Sequence, residues 1–226
     1  MAPLVIAFDL DGTLVDSAPD LLDTLDHILS EYRIAPVDRA LTRTMIGGGA
    51  RLLLVRALER AGIAPEPAEM EAMTQRFIAH YSEHIADVSR PFPGLLPALD
   101  RLAAKGARLS VCTNKTERLA RLLLDRLDLT PRFAAITGAD TYGRAKPDPL
   151  PLLSTIAACG GVPERAIMVG DSATDVATAK ACAVPCIAVT FGYTETPAAR
   201  LGAERVIDHY DGLMAAIGDI CTARHQ

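Results

Sequence analysis

The hydrophobic positions of this chain change their period along its length. Residues 4–8 are continuously apolar, which predicts a short strand buried on both faces. Residues 17–88 instead repeat apolar side chains at helical spacing and predict helices over 17–32, 38–45, 52–61 and 65–88, with no strand among them. This segment of about 70 residues is therefore expected to be an all-helical insertion after the first strand.

From residue 91 onward, short apolar runs alternate with helical patterns. Strands are predicted over 108–112, 133–138, 166–169 and 185–190, with an edge strand over 205–207. Helices are predicted over 95–105, 116–127, 148–159, 173–182 and 212–220. Strands that alternate with helices form a parallel sheet through right-handed crossovers, so the chain is predicted to adopt an α/β fold.

The composition narrows the class of protein. The chain has 226 residues, of which half are hydrophobic, so it can bury a sizeable core. A formal net charge of -5 and an aromatic content of 4% argue against a nucleic-acid partner. No apolar run reaches the length of a membrane span, and the N-terminus lacks a basic signal-peptide region, so the expected location is the cytoplasm. Five scattered cysteines fit free thiols in a reducing compartment.

Polar side chains follow the predicted strands at the end where ligands gather in open α/β sheets. Asp9 and Asp11 come directly after the first strand, and two unpaired carboxylates about 4 Å apart repel by roughly 4 kcal/mol at an effective dielectric near 20. A hard cation such as Mg²⁺ would relieve that repulsion. The later strands are followed by Thr113, Asn114, Lys146, Asp171 and Asp175. Phosphoryl transfer with Mg²⁺ requires this combination of carboxylates, a hydroxyl and a lysine.

Each of these residues also has a purely structural explanation. Asp11 and Gly12 fit a strand that is followed by an Asp-Gly turn. Thr113 fits a strand-end cap, Lys146 a solvated surface lysine, and Asp175 an acid at a helix N-terminus. Their joint occurrence after four predicted strands favours chemistry over these alternatives.

Four motifs, in this order along the chain, resemble those of the haloacid dehalogenase-like phosphohydrolases. They are Asp9-Leu10-Asp11-Gly12-Thr13, Cys112-Thr113-Asn114-Lys115, Lys146-Pro147-Asp148-Pro149 and Gly170-Asp171-Ser172-Ala173-Thr174-Asp175. The resemblance covers nearly the whole chain and implies a Rossmann-like parallel-sheet core with an inserted α-helical cap domain. It divides the chain into a catalytic core, residues 1–16 plus 89–226, and a cap, residues 17–88. Within the family, residues 14–17, 46–49, 113–115 and 191–193 most resemble the phosphoglycolate phosphatases.

The resemblance also implies roles for the motif residues. Asp9 would be the nucleophile that forms an aspartyl-phosphate. Asp11 would protonate the leaving oxygen and then deprotonate the attacking water. Thr113, Asn114 and Lys146 would bind the phosphoryl group, and Lys146 would also steady Asp9.

A Mg²⁺ cofactor is implied by the same resemblance. Asp9 and Asp171 would bind the ion directly, Asp11 would bind it through its backbone carbonyl, and Asp175 would hold a metal-bound water. Ser172 and Asp175 have the spacing of a capping box, so Ser172 is expected to cap the helix that follows.

The helical cap is expected to choose the substrate. The Gly47-Gly48-Gly49 segment permits close backbone approach to a small ligand, although a plain turn between helices fits as well. Arg51 is the candidate to meet a substrate carboxylate, and Arg43 and Lys115 are its rivals.

The sequence also supports predictions for three further side chains of this segment. Ser17 is predicted to cap the first helix, together with Asp20 at the third helical position. His80 lies four residues before a second histidine on a predicted helix, an arrangement that fits a solvated or hydrogen-bonded pair better than a metal site.

The expected activity is that of a Mg²⁺-dependent phosphomonoesterase that acts on a small phosphorylated metabolite, with 2-phosphoglycolate as the first candidate. The alternative within the family is a β-phosphoglucomutase-like isomerase or a pyrophosphatase. The alternative outside enzymes is a non-catalytic phosphoacceptor or binding module, although receiver domains lack a large cap and an acid like Asp11. No nucleic acid and no membrane is expected as a partner, and the assembly is expected to be a monomer or a homodimer.

Overall fold

The computed structural model describes residues 2–224 and contains a six-stranded parallel sheet. Its strands are β1 (Val5–Phe8), β4 (Arg108–Cys112), β5 (Ala135–Thr137), β6 (Ala166–Gly170), β7 (Cys186–Val189) and β8 (Arg205–Ile207). They lie in the order β5-β4-β1-β6-β7-β8, and every neighbouring pair is parallel. The predicted α/β fold is therefore confirmed.

Strand β1 lies at the centre of this sheet, between β4 and β6. Val5 pairs with Arg108 on one side and with Ala166 on the other, and the register continues without a break to Phe8. All four residues of β1 are fully buried, because helices cover both faces of the sheet. The carboxyl ends of β1, β4 and β6 consequently lie side by side.

The side chains of β1 alternate between the two faces. Val5 and Ala7 belong to the apolar cluster that includes residues of the helices α7 (Pro149–Ala158) and α8 (Ala173–Ala181). Ile6 and Phe8 belong to a larger cluster on the opposite face. This second cluster contains residues of α5 (Leu95–Ala104), α6 (Glu117–Arg126) and α9 (Leu213–Ala223).

Residues 17–88 contain four helices, as the pattern predicts. They are α1 (Ala18–Glu31), α2 (Arg39–Arg43), α3 (Ala50–Arg60) and α4 (Pro67–Glu83). Helix α4 packs against both α1 and α3, and its buried face includes Phe77 and Tyr81. Apolar residues of these helices join the larger sheet cluster, so the buried core is continuous between the two parts. No helix within residues 2–224 combines the length and the apolarity that a membrane span requires.

The end of α4 differs from the prediction. The apolar pattern predicts a helix to residue 88, but α4 ends at Glu83. The carboxylate of Asp20 accepts hydrogen bonds from the backbone N–H groups of Val88 and Ser89 at 2.8–3.2 Å and from the Ser89 hydroxyl at 2.5 Å. These contacts bind residues 88 and 89 to the first turn of α1 in a non-helical conformation.

A second, two-stranded sheet joins the places where the chain enters and leaves the helical segment. Strands β2 (Val15–Asp16) and β3 (Arg90–Pro91) are antiparallel, with Val15 opposite Pro91 and Asp16 opposite Arg90. Two residues are too few to show a strand period, so the sequence pattern did not predict either strand. The division into a core of residues 1–16 plus 89–226 and a cap of residues 17–88 stays a prediction.

Candidate active site

Asp9 is the first residue after β1 and lies at the buried carboxyl edge of the sheet. Its Oδ1 accepts a hydrogen bond from the backbone N–H of Leu10 at 2.7 Å and lies 3.0 Å from Nζ of Lys146. Burial raises the pKa of Asp9 to about 6, although the charge of Lys146 works against this rise. The carboxylate is thus held in one orientation beside a buried cation.

Lys146 links two of the acids. Its Nζ lies 2.6 Å from Oδ1 of Asp175 and 3.0 Å from Oδ1 of Asp9, and the side chain is 2% exposed. The backbone of Lys146 is fixed by Asn114, whose amide group donates to the carbonyl at 3.0 Å and accepts from the N–H at 2.9 Å. Burial alone would lower the pKa of Lys146, but the two carboxylates outweigh burial and raise it. Lys146 therefore stays charged.

Asp171 and Asp175 follow β6. Ser172 caps α8, and the predicted capping box with Asp175 is present, so this prediction is confirmed. The carboxylate of Asp171 accepts a hydrogen bond from the Thr13 hydroxyl at 3.2 Å and one from the backbone N–H of Tyr193 at 2.7 Å. Asp171 is thereby oriented by residues of two other loops at the same sheet edge, whereas Asp175 is oriented by Ser172 and Lys146.

Three buried carboxylates form a cluster at this edge. One oxygen each of Asp9, Asp171 and Asp175 lies within 4.8 Å of the others. Burial and the two neighbouring acids raise the pKa of Asp171 to about 8. Lys146 supplies one positive charge against three carboxylates, and oxygen donors of this kind are the ligands that Mg²⁺ prefers. The donor set therefore fits a divalent cation.

Two glycines allow the loops to approach Asp171 closely. A β-carbon on Gly12, whose φ is +80°, would lie 2.5 Å from Oδ2 of Asp171. A β-carbon on Gly192 would lie 2.2 Å from the β-carbon of the same aspartate. No larger residue fits either position without moving the acid.

The carboxylate of Asp11 faces away from this cluster. Its Oδ2 lies 3.1 Å from Nζ of Lys115, and its Oδ1 accepts a hydrogen bond from the Ser17 hydroxyl at 2.5 Å. The side-chain cap predicted for Ser17 is therefore wrong: Ser17 occupies the N-cap position of α1, but its hydroxyl bonds Asp11 instead of the helix. Asp20 likewise bonds residues 88 and 89 instead of a capping box.

Thr113 is the first residue after β4 and is buried beside these groups. Its backbone N–H continues the sheet by donating to the carbonyl of Thr137, and its hydroxyl oxygen accepts from the backbone N–H of Lys115 at 3.2 Å. A hydroxyl that accepts one hydrogen bond can still donate its own proton, so Thr113 can donate to a ligand oxygen.

A cleft of about 900 Å³ opens above the cluster. Lys146 and Asp171 line it from the sheet edge, and Gly47 and Gly48 line it from the helical segment. Nδ2 of Asn114 lies 3.5 Å from the carbonyl oxygen of Gly47. The glycine segment therefore lies against the sheet edge that carries the acids.

A sequence profile described as haloacid dehalogenase-like hydrolase matches residues 6–189. The chain belongs to this family. Its resemblance to the family motifs is thus confirmed over most of its length.

Individual relatives of this haloacid dehalogenase-like hydrolase extend the match. The phosphoglycolate phosphatase of Mesorhizobium japonicum is 42% identical over 219 residues, or 97% of this chain and 96% of that protein. That of Caulobacter vibrioides is 46% identical over 205 residues, or 91% of this chain and 86% of that protein. A crystal structure described as a predicted phosphoglycolate phosphatase from Haemophilus somnus has a TM-score of 0.89 at 27% identity, and the match covers 95% of this chain and 98% of that one.

The three candidates to bind a substrate carboxylate lie in different surroundings in this haloacid dehalogenase-like hydrolase. Nη1 of Arg51 lies 3.1 Å from Oε2 of Glu71, and both side chains are more than half exposed. Nη2 of Arg43 lies 3.1 Å from Oδ1 of Asp16, at the start of the helical segment. Lys115 alone of the three is buried. The Arg51 guanidinium is paired with Glu71 of α4 instead of with an acid of the sheet edge.

Several groups at the site were not predicted from the sequence. The hydroxyl of Tyr210 donates to the carbonyl of Thr13 at 2.7 Å, and Tyr81 lies against Lys115. Tyr193 belongs to residues 191–193, which carry part of the family resemblance. Nothing in the local sequence predicts the hydrogen bond from its backbone N–H to Asp171.

The predicted pair of His80 and His84 belongs to a group of three neighbouring rings, in which His80 stacks on His27. The ring of His80 stacks on His27 at a centroid distance of 4.0 Å and lies 4.5 Å from that of His84. Nδ1 of His80 faces the Thr24 hydroxyl at 3.4 Å. Within residues 2–224, the group of side chains with metal-binding geometry is the acidic cluster, without a histidine.

Proposed function

We propose that this protein is a Mg²⁺-dependent phosphatase that hydrolyses 2-phosphoglycolate to glycolate and phosphate. The observation that carries the proposal is the bridge by Lys146, whose Nζ holds Asp9 at 3.0 Å and Asp175 at 2.6 Å in one buried site. The substrate follows from the relatives named phosphoglycolate phosphatase, which are 42–46% identical to nearly the whole of this chain. A location in the cytoplasm and a monomeric or homodimeric assembly are proposed with it.

Asp9 is proposed as the nucleophile. One of its oxygens would attack phosphorus, the bond to the leaving oxygen would break, and an aspartyl-phosphate would form. Lys146 would keep the carboxylate charged and aimed and would attract the transferring phosphoryl oxygens. The Thr113 hydroxyl, whose oxygen accepts from the Lys115 N–H, would donate its proton to one of those oxygens.

Asp11 is proposed as the acid and base. Its carboxylate contacts Ser17 and Lys115, away from the cluster, which supports a role at the leaving oxygen instead of at the metal. It would give a proton to that oxygen and later take one from the water that hydrolyses the aspartyl-phosphate. The water attacks phosphorus, which releases phosphate and restores Asp9.

The acidic cluster would hold the metal. Asp9 and Asp171 would bind the ion, together with the backbone carbonyl of Asp11, and Asp175 would hold a water bound to it. Bound Mg²⁺ would supply positive charge for the phosphoryl oxygens and remove the repulsion between the attacking carboxylate and the phosphate. Thr13 and Tyr193 would keep Asp171 turned toward the ion through the two hydrogen bonds that they donate.

Phosphate release from 2-phosphoglycolate tests the proposal. We expect turnover with Mg²⁺, none after chelation, and recovery when Mg²⁺ is restored. Asp9→Asn should abolish turnover while circular dichroism stays that of the wild type. Asp125→Asn, an exposed acid on α6, is the matched control and should keep full activity. Wild-type kcat in a folded Asp9→Asn variant would refute the nucleophile, and conversion to an isomer without phosphate release would instead indicate a mutase.

A further inference from the structure

Lys115 is a buried cation that the phosphoryl chemistry does not use. Its side chain is 5% exposed, and its Nζ lies 3.1 Å from Oδ2 of Asp11 and 3.1 Å from the hydroxyl of Tyr81. The same Nζ lies 4.5 Å from the centre of the Tyr81 ring. Lys146 already serves the nucleophile and Asp175, so the second ammonium needs another explanation. A buried ammonium costs folding free energy unless its partners compensate for lost water.

A small cavity lies directly against this ammonium. It has a volume of about 240 Å³ and is lined by Asp11, Lys115 and Tyr81 together with apolar side chains such as Phe77 and Leu119. It lies between the sheet edge and the helical segment, because Phe77 and Tyr81 come from α4. A ligand of a few atoms in this cavity would contact Lys115 in largely apolar surroundings, where a charged hydrogen bond is strong.

The length of the proposed substrate decides which cation can reach its carboxylate. Asp11 must come within about 2.6–3.2 Å of the ester oxygen to protonate it. One methylene joins that oxygen to the carboxylate, so the carboxylate oxygens lie within about 4 Å of the ester oxygen. The cation that binds them must therefore lie within about 10 Å of the Asp11 carboxyl group, the sum of successive separations of about 3, 4 and 3 Å. Lys115 does so at 3.1 Å.

Arg51 is less suited than Lys115 to bind the substrate carboxylate. It also lines the small cavity, but its guanidinium is paired with Glu71 at 3.1 Å on the exposed side of the helical segment. An exposed cation is screened by water and contributes little to the binding of an anion. Among residues 2–224, Lys115 and Arg51 are the cations that line this cavity, and Lys115 alone also contacts Asp11.

We infer that Lys115 is the specificity residue for a carboxylate on the leaving group, with Tyr81 as its positioning residue. Nζ binds the substrate carboxylate beside the ester oxygen, and the Tyr81 hydroxyl holds the ammonium against Asp11. The inference rests on the proposed function, since it assumes that the leaving group is glycolate. It extends that function to small phosphate monoesters with a carboxylate next to the ester carbon.

A matched pair of substrates isolates this role. Ethyl phosphate has a methyl group where 2-phosphoglycolate has its carboxylate, so the ratio of their kcat/KM values reports carboxylate recognition. Lys115→Met should lower this ratio by about ten- to a hundredfold, whatever it does to the absolute rates through Asp11. Lys115→Arg should restore part of the ratio because it keeps the charge. Lys105→Met, which removes an exposed lysine at the end of α5, should leave the ratio unchanged.

A binding measurement removes proton transfer from the test. The phosphonate 3-phosphonopropionate cannot be hydrolysed and carries the carboxylate, whereas propylphosphonate lacks it. Calorimetry on the Mg²⁺-loaded protein should show that Lys115→Met weakens only the first ligand, by about ten- to a hundredfold. Tyr81→Phe, which keeps the ring and the ammonium, should weaken it less and gives a second variant if Lys115→Met does not fold.

The outcomes separate this inference from the proposed function. A wild type without preference for 2-phosphoglycolate over ethyl phosphate would refute the proposed substrate. A wild type with that preference, retained in Lys115→Met, would refute the role of Lys115 alone. Loss of the preference in Arg51→Met but not in Lys115→Met would assign the carboxylate to Arg51 and overturn the inference.

Discussion

The hydroxyl of Tyr193 donates a hydrogen bond to Oδ1 of Asp16 at 2.7 Å, which joins the loop after β7 to the start of the helical segment. The same hydroxyl oxygen accepts from the backbone N–H of Ala18, the first residue of α1, at 3.0 Å. The backbone N–H of Tyr193 meanwhile donates to Asp171 at 2.7 Å. One residue thus holds both an acid of the cluster and the beginning of α1.

Tyr193→Phe should separate these two roles. The variant keeps the backbone bond to Asp171 but leaves the buried N–H of Ala18 without its partner, so the free energy of unfolding should fall by about 1–3 kcal/mol. The Mg²⁺ concentration for half-maximal activity should not change. Denaturant unfolding and a Mg²⁺ titration of activity measure the two quantities, and a shifted titration with unchanged stability would contradict this division.

Gly192→Ala should act on the metal through Asp171. The added β-carbon would overlap the aspartate side chain at 2.2–2.6 Å, so the carboxylate must move. The Mg²⁺ requirement should rise by about 10–100-fold, as it does when a group that orients a ligand is lost, and Asp171→Asn should raise it at least as much. Gly218→Ala, with open space around the new carbon, is the control and should leave the titration unchanged.

Asp20→Ala should destabilise the fold by about 2–4 kcal/mol, because the backbone N–H groups of Val88 and Ser89 lose a buried acceptor. Asp20→Asn keeps one acceptor oxygen and should lie between this variant and the wild type. Asp23→Ala, one turn farther along α1 and half exposed, should cost less than about 1 kcal/mol. Equal unfolding free energies for the Asp20→Ala and Asp23→Ala variants would refute the role of Asp20.

The metal-free protein should lose stability as the pH rises through the range in which the cluster ionises. The folded state raises the pKa of Asp9 to about 6 and that of Asp171 to about 8, chiefly through burial, against 3.8 as the ordinary value. The folded state therefore binds more protons than the unfolded state, and this contribution is complete below about pH 4 and is lost as pH rises through 6 and 8. Asp11, Asp175 and Lys146 are the charged neighbours that set these values.

Melting curves of the chelated protein from pH 5.5 to 8.5 check this pH dependence. The melting temperature should fall across that range by several degrees, and Asp171→Asn should flatten the fall. Saturating Mg²⁺ should also remove this fall in melting temperature, because the bound ion takes the place of the protons on the carboxylates. A melting temperature that rises with pH in the chelated wild type would contradict ionisation of the buried acids as the cause.

The sequence predicts the core of this protein well because its signals there are local. The strand Val5–Phe8 is an unbroken apolar run, and the acids that follow it lie within a few residues of its end. The parallel direction of the strands follows from their alternation with helices. Asp9, Lys146 and Asp175 could therefore be expected to meet at one edge of the sheet.

What the sequence misses depends on contacts between distant residues. Asp20 holds residues 88 and 89 in a non-helical conformation, and the bond from Tyr193 to Asp16 spans 177 positions. Arg51 is a sound candidate from its place after the glycines, but its partner Glu71 appears only when α3 and α4 are packed together. None of these contacts produces a hydrophobic period or a motif in the sequence.

The pairing of β2 with β3 has a mechanical consequence. Two separate tethers would let the helical segment slide, twist and tilt over the sheet edge, whereas two strands bonded side by side bend together as a single ribbon. We expect any displacement of residues 17–88 relative to the sheet to be mainly a rotation about a line through Val15 and Pro91. A rotation of this kind would return the glycine segment to its position beside Asn114 each time the two parts close.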